Sequence, residues 1–293
     1  MKKAAFYSFS ATGNTKRICD LFADELRALG YETEYIPVRR GAVYPALAEY
    51  DLVFLAYPVH GFAAPRIMLD LAAGFPEGSS AYYIIKTSGE PLSANDASSE
   101  VLRRKMKAKG YVFKGEFHYV MPYNMLFRHS DKMVALMWRA ALNTVPADAA
   151  LAARGEEKIP EVSARAKLIR ASLAFEHGGM RILGLFFGVD RKKCTSCGRC
   201  VKLCPEQNIT MDENGKVKFG RHCMGCAACS FHCPTDAIRI GAMNRYKVNG
   251  PYTFSSDIDG LTQKDVCDYC HEDYIRYFAA HGIDLPAEEG EKI

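Results

Sequence analysis

The chain has 293 residues, 48% of them hydrophobic and 25% charged, and its formal net charge is +4. That size fits one large or two ordinary domains, and a mild, scattered positive charge excludes a nucleic-acid partner as the expectation. No apolar run approaches the ~18 residues that a membrane span requires, so no span is expected either.

The first residues, MKKAAFYSF, imitate a secretory signal, but the apolar stretch breaks at Ser8 and is lost by Thr12, Gly13 and Asn14. It is too short for the apolar core of a signal, so a cytoplasmic protein is expected. Residues 3–8 read as a strand, 13–29 as a helix and 31–38 as a second strand. Residues 51–57 (DLVFLAY) form a continuous apolar run bounded by polar residues, as a strand buried on both faces would be. A short helix is expected over 65–73, a buried strand over 81–86, a helix over 97–109 and a last strand over 111–121. Strands alternating with helices predict an α/β fold, a doubly wound parallel sheet with helices on both faces. Helical periodicity returns over 131–142 and 161–177, with Pro146 and the polar stretch around Gly155 and Pro160 between them. Gly178-Gly179 and GLFFG at 184–188 predict a turn and a packed link. The expected organisation is a first domain over 1–145, a helical connector over 146–190, a cysteine-rich domain over 191–243 and a tail with a helix over 244–293.

Of the 11 cysteines, eight lie between Cys194 and Cys233. Such density in a long chain points to metal rather than to disulfides. CTSCGRCVKLCPEQNI from Cys194 repeats as CMGCAACSFHCPTDAI from Cys223, an offset of 223 − 194 = 29 residues. Between the copies, ITMDENGKVKF alternates around Asn214-Gly215, a hairpin signal. Each copy reads C-x2-C-x2-C-x3-C-P. This resembles the bacterial two-cluster ferredoxins over about residues 190–242, without departure at the eight cysteines or at Pro205 and Pro234. The resemblance implies a small α+β domain in which Cys194, Cys197, Cys200 and Cys233 hold one 4Fe–4S cluster and Cys223, Cys226, Cys229 and Cys204 the other. The competing reading, two structural zinc sites, fits poorly, since zinc motifs set two C-x2-C pairs apart. Gly198, Gly225, Ala227 and Ala228 are small enough to let backbone N–H groups approach the sulfurs.

The loop SFSATGNTKR at 8–17 joins the first strand to the first helix. A polar loop there turns backbone N–H groups and the helix N-terminus toward one point, which attracts an anion. It is neither G-x-G-x-x-G nor a P-loop. Ser10, Ala11, Thr12, Gly13, Asn14 and Thr15 resemble the S/T-x-T-G-x-T phosphate loop of flavodoxins, which implies a flavodoxin-like domain and FMN held by largely neutral donors. In that fold the ligand sits beyond the first and third strands. Two further loops would then flank the ring: Pro58, Val59, His60 and Gly61 after DLVFLAY, and Thr87, Ser88 and Gly89 after AYYIIK, with Tyr57, the last residue of DLVFLAY, or His60 against the ring and Asn124 within reach. The second loop, TSGEP, carries no aromatic residue, so one ring face is expected to open toward the cysteine-rich domain or a substrate. FSATGNTK, MPYN and the two cysteine runs together resemble a family of fusions in which a flavodoxin-like domain precedes a two-cluster ferredoxin.

That architecture implies electron transfer between FMN and two 4Fe–4S clusters, with ferredoxin-type redox proteins as donors or acceptors. A flavin-dependent reductase of a small-molecule acceptor and a redox or oxygen sensor are the alternatives. No side chain presents itself as a general acid or nucleophile with a defined partner, so no catalytic residue is assigned. Cys267, Cys270 and His271 match C-x-x-C-H, readable as haem attachment, a redox dithiol, a metal site or two packed thiols. Cys19 reads as a small buried hydrophobe.

Overall fold

The computed structural model describes residues 1–173, 179 and 182–287. Strands β1 (Lys2–Ser8), β2 (Tyr31–Pro37), β3 (Leu52–Pro58), β4 (Ala81–Ser88) and β5 (Val112–Val120) form one parallel sheet in the order β2-β1-β3-β4-β5. Each begins within one residue of its expected start. The order is that of a flavodoxin-like doubly wound sheet, with its switch point between β1 and β3.

Side chains alternate across the sheet and give two cores. On one face, α1 (Asn14–Ala28) and α4 (Asp131–Ala153) pack Ile18, Phe22 and Val145 against Phe6, Phe54 and Phe117. On the other, α2 (Arg66–Gly74) and α3 (Glu100–Ala108) pack Met68, Leu71 and Leu102 against Tyr7, Val53 and Leu55. Phe6 and Phe54 stack with ring centroids 4.8 Å apart. Each buried ring of this kind stabilises the fold by about 1.5–3 kcal/mol. One ion pair sits inside the second layer: Lys86 donates to Glu116, both fully buried, and also to the Asn95 carbonyl at 3.0 Å.

Pro146 does not end the helix expected to stop near residue 142; α4 runs through it to Ala153. Pro146 is exposed, so its ring stays out of the core, while Val145, Ala149 and Ala152 keep the buried face continuous. The second expected helix is α5 (Ala164–Ser172), started by Ser163, whose hydroxyl accepts from Ala166 N–H at 3.1 Å. Residues 174–177 of that expectation, and Gly178 of the expected turn, lie outside the described residues.

The cysteine-rich segment folds around two short antiparallel pairs. β6 (Phe187–Val189) pairs with β9 (Ile238–Ile240), and the predicted hairpin is β7 (Ile209–Met211) with β8 (Val217–Phe219). Two short helices, α6 (Arg199–Leu203) and α7 (Ala228–Phe231), contain the third cysteine of each run, Cys200 and Cys229. The tail returns to the first domain. Its helix α8 (His271–Ala280) buries Tyr274 and Phe278 against Val120, Met133 and Leu136. Among the described residues no helix is long and apolar enough to cross a membrane.

Candidate functional site

The repeat is visible in the backbone. Ser196 and Gly225, Gly198 and Ala227, and Gln207 and Asp236 are pairs at the 29-residue offset, and all six residues have positive φ. For non-glycine residues that conformation costs about 1–2 kcal/mol each and persists where a site over-determines it. Here it turns amides toward sulfur. Ser196 N–H donates to Cys194 Sγ at 3.4 Å and its repeat mate Gly225 to Cys223 Sγ at 3.5 Å. Asn208 N–H donates to Cys204 Sγ at 3.3 Å, and its mate Ala237 to Cys233 Sγ at 3.2 Å.

The two runs exchange their fourth cysteines. Cys194, Cys197 and Cys200 line one cavity with Cys233; Cys223, Cys226 and Cys229 line another with Cys204. Val217, Ala237 and Ile238 complete the first, and Ile209, Phe219 and Phe187 the second. Among the described residues, no three His, Cys, Asp or Glu side chains converge as they would around a single ion. Thiols spread around an apolar cavity and met by amide donors fit a cuboidal iron–sulfur group better than zinc.

A third cavity, of about 420 Å³, opens beyond the carboxyl ends of β1, β3 and β4. It collects Ser10, Ala11, Thr12, Asn14, Thr15, Pro58, Val59, His60, Gly61, Thr87, Ser88, Gly89 and Asn124, so thirteen of the fifteen sequence-expected residues meet there. Gly13 stands just behind it as the left-handed N-cap of α1, with φ 102°. Tyr57 does not reach it. Its ring points to the opposite face of β3 and is wholly buried with Val53 and Leu55, because neighbouring strand residues face opposite ways. Three loop side chains are already engaged: Asn14 Nδ2 donates to the Pro122 carbonyl at 2.7 Å, the Thr15 and Thr87 hydroxyls pair at 2.9 Å, and Ser10 Oγ accepts from Lys16 N–H at 3.1 Å, which leaves the Ser10 hydroxyl proton to donate. An anion would therefore meet the backbone amides of the loop and the hydroxyls of Ser10 and Thr12. Among the described residues no Lys or Arg lines it, which fits a phosphate held by neutral donors.

The far wall comes from residues outside the fifteen expected at the flavin. Met121, Pro122, Tyr123, Leu126 and Tyr269 line it, with Met224 and Gly225 from the cysteine-rich domain. Among the described residues Glu90 is the one carboxyl in the lining; Tyr123 donates to it, and burial pushes its carboxyl up from the usual range. Behind Tyr123 lies His129, stacked on its ring at 5.1 Å. His129 Nδ1 accepts from Tyr123 N–H at 3.2 Å, which fixes the tautomer with hydrogen on Nε2. Nε2 then donates to the Tyr274 hydroxyl at 3.3 Å, and Tyr274 donates to the Gly89 carbonyl. Tyr123 had a signal in MPYN, beside Asn124. Tyr269 had none, being far away in the chain.

The two domains meet at this cavity. His232 Nε2 lies 3.2 Å from the Ala11 carbonyl, and Asn124 Nδ2 donates to the Cys226 carbonyl at 3.5 Å. Met224, between Cys223 and Cys226, lines both the third cavity and that of the second cysteine set. Cys19 is a small buried residue beside Ser8, and Trp138 packs edge-on against Phe254 at 5.5 Å.

Comparison with known proteins separates the two halves. Residues 187–240 match the family model of a 4Fe-4S dicluster domain. An uncharacterized ferredoxin of Methanocaldococcus jannaschii is 46% identical over 56 residues, 18% of this chain and 73% of that one. A ferredoxin of Pyrobaculum islandicum is 41% identical over 51 residues, 17% of this chain and 48% of that one. A solved flavodoxin of Streptococcus pneumonia TIGR4 aligns with 40% of this chain and 83% of its own, at 22% identity and a TM-score of 0.33. Through residues 187–240 the chain belongs to the 4Fe–4S dicluster ferredoxin family of electron-transfer domains, joined here to a flavodoxin-like sheet.

Proposed function

We propose that this chain moves electrons between FMN, bound in the third cavity, and two 4Fe–4S clusters, and exchanges them with ferredoxin-type partner proteins. Cys194, Cys197, Cys200 and Cys233 hold one cluster, and Cys204, Cys223, Cys226 and Cys229 the other. The phosphate sits on residues 10–15 and the ring between the loops at 58–61 and 87–90. When bound, FMN supplies a centre that takes one or two electrons and each cluster one that takes a single electron.

One observation carries this reading: the segment between Cys223 and Cys226 is a wall of both the second cysteine cavity and the flavin cavity. Asn124 and His232 brace that wall from either side of the domain junction. Cys197, of the first set, is exposed. The surface-facing set is thus placed for a partner protein and the inner set for the flavin. A cytoplasmic setting belongs to the same reading, supported by cysteines arranged as metal ligands rather than disulfides.

The test is iron, acid-labile sulfide and released flavin measured on anaerobically purified protein. About eight irons and one FMN per chain support the assignment. Iron without flavin, and no uptake of added FMN, would remove the flavin from it and leave a ferredoxin on an empty docking domain.

A further inference from the structure

Cys267 and Cys270 are not used by that reading; they pack beside Tyr274 and Phe278, and the residue between them reaches its cavity. Tyr269, between them, is a cavity wall. Its hydroxyl lies against the Cys270 thiol on one side and the Tyr123 hydroxyl on the other, and Tyr123 donates to Glu90. Cys270 is the N-cap of α8, in a left-handed conformation with φ 57° that a non-glycine residue rarely adopts. Both thiols are half-buried, neither sealed in the core nor free in solvent. The other uses of C-x-x-C-H fail here. His271 Nε2 is engaged with the Gln263 carbonyl at 3.0 Å, and no third ligand converges with the pair among the described residues.

We propose that Cys267 and Cys270 are a redox-active dithiol that exchanges two electrons with the flavin ring in the cavity. This rests on the flavin reading above. In the reducing direction the S–S bond breaks, each sulfur takes one electron from the two-electron-reduced ring and one proton, and the ring is left oxidised. In the other direction the S–S bond forms, and the two electrons pass to the oxidised ring as both sulfurs lose their protons. The chain from Cys270 through Tyr269 and Tyr123 to Glu90 gives those protons a path between thiol and cavity. Asp268 lies between the pair and Asp273 just beyond it; burial first, and then these carboxylates, push both thiols up and disfavour the thiolate. A pair whose reduced form lacks thiolate stabilisation is a weak oxidant, suited to the low potentials of iron–sulfur partners.

The test uses the full-length protein with its flavin counted beforehand. Trypsin cuts after Lys264 and Arg276, and the peptide 265–276 contains only these two cysteines. Samples are oxidised with limited ferricyanide, or photoreduced until the bound flavin bleaches, then trapped with N-ethylmaleimide in acid. In the oxidised sample the peptide is expected to be lighter by two hydrogens and unalkylated; in the photoreduced sample it carries two alkyl groups. Reductive titration of Cys267→Ser or Cys270→Ser takes two fewer electrons than wild type. Full alkylation in both samples, or a disulfide that persists after the flavin is reduced, overturns the proposal while leaving the flavin reading intact. A protein without flavin overturns both.

Discussion

Acid weakens the wall of the flavin cavity through one buried imidazole. His129 is 4% exposed, and burial lowers its pKa from the ordinary 6.5 to about 4. Between those values the unfolded chain binds a proton at His129 and the folded chain does not, so stability falls as pH falls. The contribution is fully present above about pH 6.5 and lost by about pH 4. Worked from those two values, lowering the pH from about 7.5 to about 5 removes about 2 kcal/mol, a factor of roughly 30 in the opening equilibrium. The structural consequence is local, because a protonated Nδ1 cannot accept from Tyr123 N–H. The assay is native-state hydrogen exchange over residues 121–130, corrected for intrinsic pH dependence, on wild type and His129→Asn. Wild-type protection is expected to drop by roughly 30-fold more than the variant's over that pH change. Equal drops would refute the assignment of His129 as the acid-sensitive strut.

Two further substitutions probe the site and its floor. In Gly89→Ala the new Cβ overlaps the Tyr123 ring, whose Cζ would lie 2.5 Å away where ordinary contact begins at 3.4 Å. The ring must swing off Glu90, so FMN affinity and melting temperature are both expected to fall, with about 1–3 kcal/mol of overpacking; unchanged FMN affinity by fluorescence titration counts against the ring site. Lys86→Met leaves Glu116 buried without its cation and costs about 3–5 kcal/mol, whereas Lys86→Met with Glu116→Leu recovers most of it. Thermal melting of the three proteins decides this, and a double variant as unstable as the single one contradicts it.

Much of this was legible locally. The sheet follows from apolar runs such as DLVFLAY, because a strand buried on both faces has no other pattern. The crossed cysteine sets are those that the resemblance of the two runs to two-cluster ferredoxins implies. What escaped depends on direction and on distance along the chain. Tyr57 ends the apolar run just before the expected loop, but strand alternation turns it into the core. Tyr269 reaches the cavity only because Tyr274 and Phe278 anchor the tail to α4, and no local motif announces that packing. The helix through Pro146 holds because its proline lies on the exposed face, which only the tertiary arrangement reveals. Lys86, inside an apolar strand, gave no hint of its partner Glu116 on β5.

The central claim is that electrons cross the shared wall at Met224 and Gly225 within one molecule. The direct measurement is flash photoreduction of the flavin in the anaerobic full-length protein, following cluster bleaching at several protein concentrations. The account predicts a first-order transfer whose rate does not change with concentration. A transfer whose rate scales with concentration, or clusters that stay oxidised while the flavin stays reduced, would contradict it.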